Sequence, residues 1–208
     1  MKKVQRSELL ELGAYEQIRE RFRAAVIEEK KHRRFQASDE LSMVFENHVT
    51  VLFQIQEMLR TERITREAAI QHEIDTYNEL IPGRGEVSAT LFVELPDREI
   101  RERRLVELAG LEQTFALEVG GELAPARNET RGVLPDRTTA VHYLKFQLSP
   151  AAIDRLIAAG RASGPGASGG AERSPPVRLR VRHPRLDLAT PLPPPVVRAL
   201  AEDLVEAP

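Results

Sequence analysis

The dominant spacing of apolar residues along this chain changes near residue 85, and that change limits which folds are open to it. Before it, apolar residues recur every three or four positions, the period of a helix packed on one side. Ile18, Phe22, Ala25 and Val26 follow this spacing and predict an amphipathic helix over 14–33. Ile70, Ile74, Tyr77 and Ile81 form the stripe of another, which starts after Thr65 and ends at "IPGRG". Ser7 reads as the cap of a short helix that Gly13 ends. After residue 85 the apolar residues alternate, the period of a strand. "SATLFVEL" (88–95), "TFALEV" (114–119), "TAVHYLKFQLS" (139–149) and "VRLRVRH" (177–183) are predicted strands. Helices are expected at 97–109, at 150–160 and in "PPPVVRALAEDLVEA", which opens with proline.

One segment of the first half breaks the helical period. "FQASDELSMVFEN" alternates Leu41, Met43 and Phe45 on one face, and Ser38-Asp39-Glu40 supply a turn, so it reads as a hairpin. Asn47 then caps a helix beginning in "HVTVLF". Helices followed by strands predict an α+β fold: N-terminal helices and a hairpin on a largely antiparallel sheet, as one domain over 1–208. "RASGPGASGGAERSPP" (161–176) reads as a flexible surface loop.

Composition removes several function classes. The chain has 208 residues, long enough for one good core, and no cysteine, so it offers no thiolate for catalysis, zinc or iron–sulfur clusters. Its formal net charge of -2 gives no general attraction to nucleic acid or anionic lipid. The basic start is followed by acidic residues with no apolar run, which argues against a signal peptide and for a cytoplasmic protein. No stretch is long and apolar enough to span a bilayer. Phosphate-cradling and nucleophile-elbow glycine motifs are absent.

The chemistry-bearing residues are scattered. In "FENHVTVLFQIQEMLR" (45–60), Val51, Leu52, Ile55, Met58 and Leu59 share one helical arc, and Thr50, Gln54 and Glu57 line the opposite ridge. That second face reads either as structural polar contacts or as the floor of a pocket with Glu57 as a general base. His142 alternates with Leu144, Phe146 and Leu148, and so shares the apolar side of its strand; a core histidine and a site histidine are the two readings. Tyr77 and Asn78 could join a pocket with Thr50 and Gln54 as ligand contacts. "EKKH" (29–32) has a spacing used by di-iron bundles but occurs once, in a basic turn. His72 and Asp75 with Glu57 make a weak ligand set, so neither metal nor cofactor is expected. Arg178, Arg180 and Arg182 share one strand face and read as partners for glutamates on a neighbouring strand. "RNETR" (127–131) echoes a cyclic-dinucleotide clamp but lacks its partner motif.

Taken in order, "FENHVTVLFQIQEMLR", "TYNELIPG", "SATLFVEL", "VHYLKF", "RHP" and "LAEDL" resemble the bacterial family catalogued as domain of unknown function 3501. The resemblance covers Tyr15 to Leu204 outside the Gly/Ser/Pro loop. It implies no catalytic residue, and it implies neighbours of rubrerythrin and iron–sulfur oxidoreductase type. Two functions follow. One is a non-enzymatic accessory or interaction protein that works with such a redox partner. The other is an enzyme or small-ligand binder with a polar pocket around Glu57 and His142. Self-association into a homo-oligomer is compatible with both.

Overall fold

The computed structural model describes residues 1–128, 134, 136–163 and 176–206. Helix α1 (Leu12–Lys31) follows the predicted stripe, but its start corrects the reading of Ser7 and Gly13. Arg6–Glu8 form one 3-10 turn with Ser7 inside it, capped by Gln5, whose N–H donates to the Glu8 carboxylate at 2.8 Å. Gly13 lies in the first turn of α1 instead of ending a helix.

The hairpin is β1 (Arg34–Gln36) and β2 (Leu41–Phe45), in the register Phe35↔Met43. The Ser38 hydroxyl accepts from the N–H groups of Glu40 and Leu41 and closes the turn. Asn47 then starts α2 (His48–Thr61) through a reciprocal cap: its side chain accepts the Thr50 N–H, and the Thr50 hydroxyl accepts the Asn47 N–H. Helix α3 (Glu67–Tyr77) runs into a 3-10 turn, Asn78–Leu80.

The second half supplies β3 (Glu86–Val93), α4 (Arg98–Glu107), β4 (Phe115–Val119), β5 (Glu122–Asn128), β6 (Val141–Gln147), α5 (Pro150–Ala162), β7 (Val177–His183), β8 (Leu186–Pro191) and α6 (Pro194–Glu206). All strands join one antiparallel sheet in the order β1-β2-β3-β6-β5-β4-β7-β8. The sheet curls until its ends approach, and the Thr190 hydroxyl donates to the Ala37 carbonyl at 2.6 Å. The fold is α+β. No helix among the described residues is long and apolar enough to cross a membrane.

Strands β5 and β8 carry weak sequence signals. Pro125 argues against a strand in the sequence, because it cannot donate to a ladder. Strand β5, however, pairs with β4 through Glu122–Pro125 and with β6 through Ala126–Asn128, so Pro125 sits where the strand changes neighbours. The segment read as a loop at 161–176 begins later than expected: Arg161 and Ala162 end α5, and Ser163 caps it. The remainder, 164–175, lies outside the described residues.

Two apolar clusters result. The larger fills the concave face of the sheet with Leu41, Met43, Phe45, Leu91, Leu117, Phe146 and Leu179, closed by α5 and α6. The smaller binds α2 and α3 to the N-terminal segment through Val4, Leu9, Val51, Ile55, Leu59, Ile70 and Ile74. Leu52 and Met58, expected on the core arc, are only half-buried. Between the clusters lies the convex face of the sheet, where β3 turns Ser88, Thr90 and Phe92 outward.

Candidate functional site

The polar face of α2 is mostly occupied by the N-terminal segment. Gln56 is buried and holds the backbone of Leu10 at both groups, accepting its N–H at 2.9 Å and donating to its carbonyl at 3.0 Å. Glu57 accepts from the Tyr15 hydroxyl at 2.6 Å and from two nitrogens of Arg19 at 2.9 Å each. Arg19 is the main cause that holds the Glu57 carboxyl down to about 2, against an ordinary 4.5, while partial burial works the other way. Asn78 is buried and grips Val4 in the same manner, with its oxygen on the N–H and its nitrogen on the carbonyl. His48 touches the Lys2 carbonyl and the Glu8 carboxylate.

His142 faces the concave core, as its alternation predicts, and is 2% exposed. The Thr138 hydroxyl donates to Glu112, so its oxygen is left to accept from His142 Nε2, 3.1 Å away. Burial pushes the His142 imidazole below its ordinary value. Glu57 and His142 therefore stand on opposite sides of the sheet and do not share a pocket. His72 and Asp75 are exposed, with Asp75 accepting from Gln71. Glu29 of the "EKKH" run accepts from Arg33 and Asn47. Among the described residues no three His, Asp or Glu side chains gather closely enough to share a metal ion. Arg178 donates to Glu118 across β4 and β7, and Arg180 lies 3.7 Å from it. In "RNETR", Arg127 pairs with Glu86, and 129–131 lie outside the described residues.

What the fold does build is a cleft of about 640 Å³ between α1–α3 and the convex face of β2, β3 and β6. Gln54 and Tyr77 line it, with Glu46, Thr90, Phe92, Val141 and Tyr143. Burial raises the Tyr77 phenol, and a hydrogen bond with Gln54 partly offsets that shift. Thr50 is buried below and donates its hydroxyl to Glu46. Thr90 donates to the other Glu46 oxygen at 2.6 Å. Lys30, Lys31 and Arg34 stand at the rim. A second hollow of about 500 Å³ adjoins the first and shares Glu46, Leu80 and Tyr143 with it; Asn78, Ser88, Asn128 and Lys145 line its far side.

Comparison with known proteins places this arrangement in a family. The model of DUF3501, described as a protein of unknown function, matches residues 3–204. The chain belongs to the DUF3501 family. A crystal structure from Burkholderia pseudomallei, described as a novel protein of unknown function, is similar over 98% of this chain and 100% of that one, at 31% identity and a TM-score of 0.84. Comparison with curated proteins finds no match.

In this DUF3501 chain four of the six segments that carry the resemblance meet around the cleft; "RHP" and "LAEDL" do not line it. "FENHV" brings Glu46 and the cap of α2, "TYNEL" brings Tyr77 and Leu80, "SATLF" brings Thr90 and Phe92, and "VHYLKF" brings Tyr143. Reasoning from the sequence passed over Glu46, Thr90, Tyr143 and Lys30. One signal was available for Tyr143: alternation puts it opposite His142, on the face that the core does not use. For Glu46 the signal was its place, a lone carboxylate between an apolar strand and an Asn cap.

Proposed function

We propose that this DUF3501 member is a cytoplasmic accessory protein that binds a small polar ligand in the cleft between its N-terminal helices and the convex face of its sheet. One observation carries the reading. Glu46 faces the cleft with both carboxylate oxygens fixed by hydroxyls, Thr50 from a helix and Thr90 from a strand. A polar group held from two independent elements is preorganised, and preorganisation is what a binding site needs. Apolar walls with a few convergent polar groups are the usual make-up of a ligand pocket. The accessory role beside an iron–sulfur or rubrerythrin-type redox partner rests on the family resemblance. It also rests on a sequence without cysteine, which leaves thiolate ligation of a cluster to that partner.

The test is amide mapping by NMR during titration with a library of small polar compounds. Binders are expected to shift Glu46, Thr90 and Tyr143 together with Gln54 and Tyr77. Shifts scattered over the surface, or none at millimolar concentrations, overturn the reading.

A further inference from the structure

Most of the buried and half-buried carboxylates of this protein meet a cation; Glu46, which lines the cleft, and Glu112, which lies in the core beside Thr138, are not among them. Glu57 meets Arg19, Glu29 meets Arg33, Glu40 meets Arg104, and Glu86 meets Lys145 and Arg127. Glu46 receives two neutral hydroxyls, and no cation among the described residues forms an ion pair with it. Hydroxyl donors orient a carboxylate but leave its charge uncompensated, which is costly away from bulk water.

Across the same cleft stands a cation of the complementary kind. The Lys30 ammonium lies 5.7 Å from the centre of the Phe53 ring instead of on a carboxylate. Lys31 and Arg34 beside it have weak or exposed carboxylate partners, Glu28 at 2.6 Å on an exposed turn and Glu94 at 3.9 Å. Between these poles the surface is apolar: Ile27, Val44, Phe92 and Val141.

Resting on the reading of the cleft as a binding site, we propose that its ligand is a zwitterion: an ammonium group on Glu46, an acid group on the Lys30 rim, and an apolar body on Val44 and Phe92. A ligand with an acid alone meets the Glu46 charge, and one with an amine alone meets the lysines. Only a molecule with both satisfies the two ends. Register sets their separation. Arg34, on the rim with Lys30, pairs with Val44, two residues before Glu46, which directly follows β2, so Arg34 and Glu46 stand about 8 Å apart at the backbone.

The probe is 4-(aminomethyl)benzoate, which carries its ammonium and carboxylate at opposite ends of one ring, with 4-methylbenzoate and 4-methylbenzylamine as single-charge controls. Calorimetric titration into the full chain is expected to show the zwitterion binding at least tenfold more tightly than either control. Glu46→Gln should abolish that advantage. Lys30→Gln, at a half-buried residue whose folding is checked by thermal unfolding, should weaken the zwitterion and the benzoate while sparing the amine. Equal affinities, or a preference for a single-charge control with shifts confined to the cleft, overturn the zwitterion and leave the cleft standing. No cleft shift with any probe overturns both.

Discussion

Gln56 and Glu57 are adjacent on α2 yet hold different pieces of the chain, and only Glu57 titrates. Glu57 stabilises the fold only while ionised. Its folded pKa lies below its unfolded one, so the contribution is complete above pH 4.5 and lost as pH falls toward about 2. Glu57→Gln is expected to cost about 1.5–3 kcal/mol at neutral pH, the range of hydrogen bonds to charged groups. Urea titration at neutral pH reads that cost; the same titration between pH 4.5 and 2 should show a flatter acid response in the variant. His142 acts earlier. Burial depresses its folded pKa below 6.5, so the unfolded chain takes up a proton that the folded chain refuses, and stability falls as pH drops below 6.5. His142→Gln should remove that early slope in a plot of unfolding midpoint against pH. An unchanged slope would mean that another group titrates there.

Helices were more legible than strands, for a physical reason visible in particular elements. Helices α1, α2 and α3 announce themselves through one-sided apolar spacing, and Asn47 gives α2 its start. Pro125 hides β5, because its tolerance depends on the change of neighbour from β4 to β6, a tertiary fact. The site was less legible still. Gln54 and Tyr77 were placed correctly as candidates, but their meeting with Glu46, Thr90 and Tyr143 requires the convex face of the sheet to be known. Contact between α5 and α6 gives a prediction at this scale. A Cβ at Gly160 would lie 2.3 Å from the Ala201 Cβ and 3.3 Å from the Val197 carbonyl. Mid-helix Gly→Ala ordinarily stabilises by up to about 1 kcal/mol. Here the clash reverses the sign, and Gly160→Ala should destabilise by about 1–3 kcal/mol, read from thermal unfolding. In the helical layer, Ile55→Ala should cost about 2–5 kcal/mol, and Leu52→Ala less, since Leu52 is only half-buried.

Across the whole molecule, Arg33 ties the N-terminal helical layer to α6, the helix that closes the sheet. It is 5% exposed and reaches from the end of α1 to both oxygens of Asp203 on α6, at 2.6 and 2.9 Å, while Glu29 holds its Nε. Asp203→Asn leaves a buried guanidinium with one carboxylate and should cost about 3 kcal/mol in urea titrations. A change near zero would show that the layers are held by their apolar contacts alone. The Thr190–Ala37 bond brings the two ends of the sheet together, between residues 153 positions apart. At cellular rates of synthesis, that separation means the β1 end of the sheet waits about 8–30 s for the strand whose Thr190 will reach it. During that interval the nascent chain shows an open ladder of N–H and C=O groups to the crowded cell, so its hazard on the ribosome is edge-to-edge aggregation, and its N-terminal half is where a chaperone would be needed.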